Sequence, residues 1–104
     1  MIKAKVSIKD SKYSGFSCTG HAGYANKGND IVCAAVSVLV INTANAIEKF
    51  ADCDFEALSL EDEIKYVFNS VPDDKATLLM DALVLGLKEI QKEYGKKYLD
   101  LVIQ

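Results

Sequence analysis

Apolar and polar residues alternate from the start of the chain: Ile2, Ala4, Val6 and Ile8 fall on one side and Lys3, Lys5, Ser7 and Lys9 on the other, which predicts a half-buried β-strand over residues 2–9. Residues 10–15 are rich in turn formers, and Phe16 and Cys18, with short polar residues between them, predict a second strand that closes a hairpin. His21 stands where that strand ends. Residues 22–30 carry Gly23, Asn26, Gly28 and Asn29, types that suit turns and positive φ, and predict a loop free to move. From Ile31 to about Ala51 almost no charge occurs before Glu48, which predicts a long helix capped by Asp30 and buried around most of its circumference.

The second half repeats the theme. Residues 55–60 and 63–71 alternate, with Glu61 and Asp62 between them as a turn, and Pro72 closes the second of these strands. Asp73 and Asp74 can cap a helix in which Leu79, Leu83, Leu87, Ile90 and Tyr94 recur at spacings of three and four, ending at Gly95. Residues 96–103 predict a last strand with Leu99, Leu101 and Ile103 on one face. The order β-β-α-β-β-α-β predicts an α+β fold: one domain over residues 1–104, two helices packed on a largely antiparallel sheet.

Composition narrows the functional classes. Of the 104 residues half are hydrophobic and 26% charged, ordinary for a globular protein with one core, and the net charge is −3. All the basic residues are lysines, so the guanidinium fork suited to phosphate and guanine is missing, which argues against nucleic acid as a direct partner. The N-terminal residues Met1 to Val6 contain no apolar leader core, and no uncharged apolar run is taken to approach the roughly 18 residues that span a bilayer, so a cytoplasmic protein without membrane contact is expected. Cys18, Cys33 and Cys53 are odd in number and show no CxxC spacing, and there is one histidine; free thiols, no metal and no cofactor are expected.

The candidate chemistry lies in Gly20-His21-Ala22-Gly23-Tyr24-Ala25, followed by Asp30-Ile31-Val32-Cys33-Ala34-Ala35-Val36-Ser37. With Asp30 as N-cap, Cys33 is the third helical residue, where unpaired backbone N–H groups favour an anion, and a thiolate is the nucleophilic form of cysteine. His21 could take the thiol proton and later protonate a leaving amine, while N–H groups of Cys33 and its neighbours could meet a developing oxyanion. The plainer alternative makes Cys33 a core thiol and His21 a hydrogen-bonded structural residue. Asp30 is either a cap alone or also an orienting partner of His21, Ser37 either supports the site or bonds back to its helix, and Tyr24 either packs over a substrate or anchors the loop. Cys18 and Cys53 read as core thiols and the charged run from Glu61 to Lys65 as a solvated turn.

These two motifs resemble the ribosomal-processing cysteine protease family, Prp. The dense match covers about residues 20–37, and the length and order of elements agree over the whole chain. The resemblance implies a cysteine endopeptidase that removes the N-terminal extension from the precursor of large-subunit ribosomal protein 27, a step in ribosome assembly, with His21 and Cys33 at the family's catalytic positions. It also implies a homodimer, a substrate loop that includes Ala22, Gly23 and Gly28, and an apolar groove near Cys33 for the pair of phenylalanines that precedes the cut. A competing expectation from another class is a ribosome-assembly module that grips the precursor's extension without cutting it. A thiol-redox or metal protein is disfavoured by the absent CxxC and the single histidine.

Overall fold

A computed structural model of the chain describes residues 1–26 and 30–104. The alternating N-terminal segment forms β1 (Ile2–Lys9) and pairs antiparallel with β2 (Lys12–Thr19). The turn between them is shorter than expected. It needs only Asp10 and Ser11, whose φ values of 51° and 64° match the twist of a two-residue hairpin, so β2 begins at Lys12. The long apolar run forms α1 (Ile31–Phe50), followed by β3 (Phe55–Ser59) and β4 (Glu63–Phe68) as a second hairpin. β4 stops short of Val71 because Asn69 and Ser70 instead bracket Asp54: the Asn69 N–H donates to the Asp54 carbonyl (2.8 Å) and the Asp54 N–H donates to Ser70 Oγ (2.9 Å). α2 (Asp74–Tyr94) is capped by Asp73, which accepts from the Ala76 N–H, and ends at Gly95 with φ 108°. β5 (Leu99–Ile103) starts three residues later than expected, after a turn in which the Tyr98 N–H donates to the Gly95 carbonyl.

The five strands lie in the order β3-β4-β2-β1-β5, all neighbours antiparallel except β1 and β5, which run parallel from Ile2↔Leu99 to Val6↔Ile103. Ile2, Ala4, Val6, Phe16, Tyr66 and Leu99 from the sheet meet Val32, Val36, Val40 and Ile47 of α1 and Met80, Leu83 and Leu87 of α2 in one core. The last strand is less amphipathic than its alternation suggests: Leu99 is fully buried, Leu101 half-buried and Ile103 exposed on the edge.

α1 corrects two expectations. Only one stripe of it is buried (Val32, Val36, Val40, Thr43, Ala44 and Ile47), while Ile31, Val38, Ile41 and Phe50 are exposed, Val38 by 68%. The helix is also long and apolar enough to cross a membrane by length and composition, contrary to the expectation that no such run exists. Its uncharged stretch from Ile31 to Ile47 includes Asn42, Thr43 and Asn45, and the Thr43 hydroxyl is satisfied within the helix by the Leu39 carbonyl (2.7 Å). Its buried stripe seats it on the sheet as a core helix.

Candidate active site

β2 delivers the histidine. After Thr19 the chain turns at Gly20, where φ is +87° and an added Cβ would lie 2.6 Å from the Met1 carbonyl oxygen, so both the backbone conformation and the space exclude a side chain. Gly20→Ala is therefore expected to cost about 1–3 kcal/mol from the left-handed strain, more if the Met1 carbonyl cannot yield. Unfolding in urea measures this loss, and unaltered stability would show that the turn accepts a Cβ.

His21 projects outward with 84% of its side chain exposed, whereas the next residue, Ala22, is buried and donates its N–H to Cys33 Sγ at 3.2 Å. An N–H aimed at sulfur solvates a thiolate, so the loop begins by being tied to the nucleophile candidate. Gly23 continues with φ +69° on the exposed side. Gly28, expected in the substrate loop, lies outside the described residues.

Asp30 acts as the helix cap. Its Oδ1 accepts from the Cys33 N–H (2.9 Å) and its Oδ2 from the Tyr24 N–H (3.0 Å), and these donors, Cys33 first, hold its carboxyl below the ordinary carboxylate range. It thus joins the loop to the helix start, and among the described residues it makes no hydrogen bond or ion pair with His21. One expectation about the oxyanion changes as a result. The Cys33 N–H is committed to Asp30 Oδ1 and the Ala34 N–H to the Asp30 carbonyl (3.1 Å), so among the described residues the Ile31 and Val32 N–H groups are those of the helix start without a cap partner. Tyr24 anchors the loop: its ring packs edge-on against Tyr94 (5.5 Å between centroids) and Tyr98 (5.0 Å) and lines neither cleft beside Cys33.

Two clefts meet at Cys33. One, of about 240 Å³, runs between β2, the β3–β4 turn and α1; the other, of about 500 Å³, lies under the loop and is lined by Gly23, Ala25, Asp30 and Ala34. His21, Cys33 and Ser37 border both. The structure therefore brings histidine and cysteine to a common junction, yet among the described residues they share no hydrogen bond, a spacing common in free enzymes whose catalytic contacts tighten with substrate. Ser37 is exposed at the junction, and its hydroxyl makes no hydrogen bond back to the helix among the described residues. Among them, too, no three His, Cys, Asp or Glu side chains gather as metal ligands.

Two further residues of the 240 Å³ cleft fit the core-thiol and solvated-turn expectations, Cys18 packing against the core and Asp62 standing largely exposed, and both gain a place at the site. Cys18 faces the 240 Å³ cleft, and burial, with the charge of nearby Cys33 as a smaller cause, pushes its thiol up to about 11. Alkylation of Cys18 by iodoacetamide at about pH 8 should consequently be on the order of a hundredfold slower in the folded protein than in urea, because its thiolate appears only as pH approaches the raised value. Peptide mapping by mass spectrometry measures this, and equal rates in the two states would refute it. The second is Asp62, from the run read as a solvated turn, whose Oδ1 stands 4.0 Å from His21 Nε2. The pairing of β4 with β2, which sets Glu63 opposite Thr19, carries that turn to the histidine, and no local pattern announces it.

Comparison with known proteins places this geometry. A family model described as cysteine protease Prp matches residues 1–99. The chain is 30% identical over 86 residues to the ribosomal processing cysteine protease Prp of Bacillus subtilis strain 168, covering 76% of each. It is 27% identical over 101 residues to the protein of the same description from Staphylococcus aureus strain Mu50, covering 92% of this chain and 93% of that one. Its fold matches the crystal structure of the S. aureus protease in complex with a covalently linked product peptide, at a TM-score of 0.88 and 24% identity over the whole of both chains.

Proposed function

This chain belongs to the cysteine protease Prp family, and from that premise we propose that it removes the N-terminal extension of the precursor of large-subunit ribosomal protein 27, with Cys33 as nucleophile and His21 as base and acid. The observation that carries the assignment of roles is the junction itself: His21 and Cys33 border the same two clefts, and Cys33 opens α1 with the Ala22 N–H aimed at its sulfur.

The chemistry follows from these groups. His21 takes the Cys33 proton, Sγ attacks the scissile carbonyl carbon, and the resulting oxyanion returns its electrons as the C–N bond breaks. The imidazolium of His21 hands its proton to the departing amine, which leaves a thioester on Cys33. A water, deprotonated by His21, then attacks the thioester carbonyl; the acid product departs and the thiol is restored. The two clefts that Cys33 borders offer a peptide room beyond the scissile bond, as an endopeptidase requires. The larger one, bordered by Ala25 and Ala34, suits the aromatic residues before the cut.

The test is mass spectrometry of a peptide containing Leu-Gln-Phe-Phe-Ala-Ser incubated with the protein and with Cys33→Ala. Cleavage after the second phenylalanine by the parent alone supports the proposal; binding of the peptide by both proteins with no product would favour a module that grips the extension without cutting it. We also place the protein in the cytoplasm, where free Cys18, Cys33 and Cys53 suit a reducing compartment, and as a homodimer. Exposed Val38 and Ile41 on α1, Leu78 and Leu85 on α2, and Val102 and Ile103 on the edge strand β5 supply apolar surface for a second copy. Sedimentation at the mass of one chain at micromolar concentration would overturn the dimer.

A further inference from the structure

His21 is the single histidine of the chain, and a base of this kind works best when its other ring nitrogen is held by a partner that sets the tautomer and meets the charge of the imidazolium. Asp30, the nearest carboxylate in sequence, is spent on the N–H groups of Cys33 and Tyr24. The carboxylate that does face the ring comes from the other hairpin. The β3–β4 turn, closed by the Leu60 N–H on the Glu63 carbonyl (2.7 Å), is carried to the end of β2 by the pairs Cys18↔Ile64 and Thr19↔Glu63. It sets Asp62 Oδ1 4.0 Å from His21 Nε2 on the rim of the 240 Å³ cleft that Cys33 also borders. With Nε2 turned toward Asp62, Nδ1 is the nitrogen left for the thiol.

Resting on the assignment of His21 as the base, we propose that Asp62 is the positioning residue of this protease: it holds Nε2 protonated, so that Nδ1 accepts the Cys33 proton, and it stabilises the imidazolium that results. In the free protein the pair is loose, with the two side chains 84% and 77% exposed, and water and salt screen it. A peptide lying between the β3–β4 turn and α1 displaces that water, and the same two charges then attract through a medium of lower dielectric. The pair therefore acts in the enzyme–substrate complex. It contributes to kcat, while folding and substrate affinity depend on it little.

The experiment measures kcat and KM for the Leu-Gln-Phe-Phe-Ala-Ser peptide with the full chain and with Asp62→Asn, Asp62→Glu and His21→Ala, each also melted thermally. Asp62→Asn should lower kcat about fivefold, the loss of an ion pair at the upper end of the exposed range, with KM within about twofold of the parent. Asp62→Glu should recover most of that loss. Because kcat reads the complex, in which the peptide covers the pair, raising sodium chloride from about 0.05 to 1 M should change the ratio of parental to Asp62→Asn kcat by less than about twofold, and a ratio that collapses to one at 1 M would overturn the shielded pair. Parental kcat in Asp62→Asn, beside an inactive His21→Ala, would overturn the role of Asp62 and leave the base assignment standing. Equal loss in Asp62→Asn and Asp62→Glu would reduce Asp62 to a structural residue of the turn, and a rise in kcat would make the contact a restraint on His21. Full activity of His21→Ala would overturn the base assignment itself.

Discussion

Cys33→Ala is expected to lose cleavage of the extension peptide by about four orders of magnitude or more while unfolding close to the parent, since without the thiol no thioester can form and water is left as the attacking group. The substitution removes one sulfur from a half-buried position bordering two open clefts, so it leaves no enclosed void, and the Ala22 N–H that loses Sγ can turn to water. His21→Ala should fall to a similar level, because the base is what makes the thiol a nucleophile. On the proposed roles histidine and cysteine act as one unit, so the double variant should be no slower than the worse single one. Initial rates followed by mass spectrometry over a wide range of enzyme concentrations measure all three. Parental rates in Cys33→Ala would remove the nucleophile from the mechanism.

Tyr66→Ala is expected to cost about 3–5 kcal/mol, a large share of the roughly 5–15 kcal/mol that holds a domain of this size together. Tyr66 is 1% exposed and stands at the centre of β4, with its ring 4.9 Å from Phe16 and 5.4 Å from Phe55 between centroids. Its hydroxyl donates to the Val40 carbonyl of α1, so one side chain joins both hairpins to the central helix. Burial pushes the phenol well above its ordinary range, which favours the neutral, donating form. Truncation to alanine leaves a cavity lined by two aromatic rings that are themselves held by strands and cannot close it. Tyr66→Phe keeps the ring and removes only the hydroxyl, so it should cost about 1 kcal/mol, within the range for a single hydrogen bond. Urea midpoints for the two variants separate packing from hydrogen bonding; a loss under about 1 kcal/mol for Tyr66→Ala would mean that the core repacks around the gap.

The elements were legible in the chain because each is specified locally. The period of two in residues 2–8, the period of three and four from Leu79 to Tyr94, Asp30 and Asp73 as caps and Gly95 as stop all act within a few residues of themselves, and the elements formed within a few residues of where they were expected. The boundaries that moved did so for local reasons that composition does not show: positive φ at Asp10 and Ser11 shortened the first turn, and the bracket on Asp54 ended β4 early. That a histidine at the end of a strand and a cysteine at the start of a helix border the same clefts follows from nearby signals too, since the Asp30 carboxylate holds the N–H groups of Tyr24 and Cys33 together.

By itself the sequence determined the seven elements, their order and the two residues proposed for the chemistry. Beyond the two hairpins it could not determine which strands would be neighbours, because hydrogen-bonded partners may lie at any separation along the chain and backbone groups carry no identity. Only the tertiary structure set β4 beside β2, and with it Asp62 beside His21 and Cys18 into the cleft. It likewise placed the last strand parallel to the first. The long apolar helix shows the same division: its hydropathy was plain in the sequence, but which of its faces met the sheet and which stayed exposed at Val38 and Ile41 depended on a sheet wide enough to cover one stripe alone.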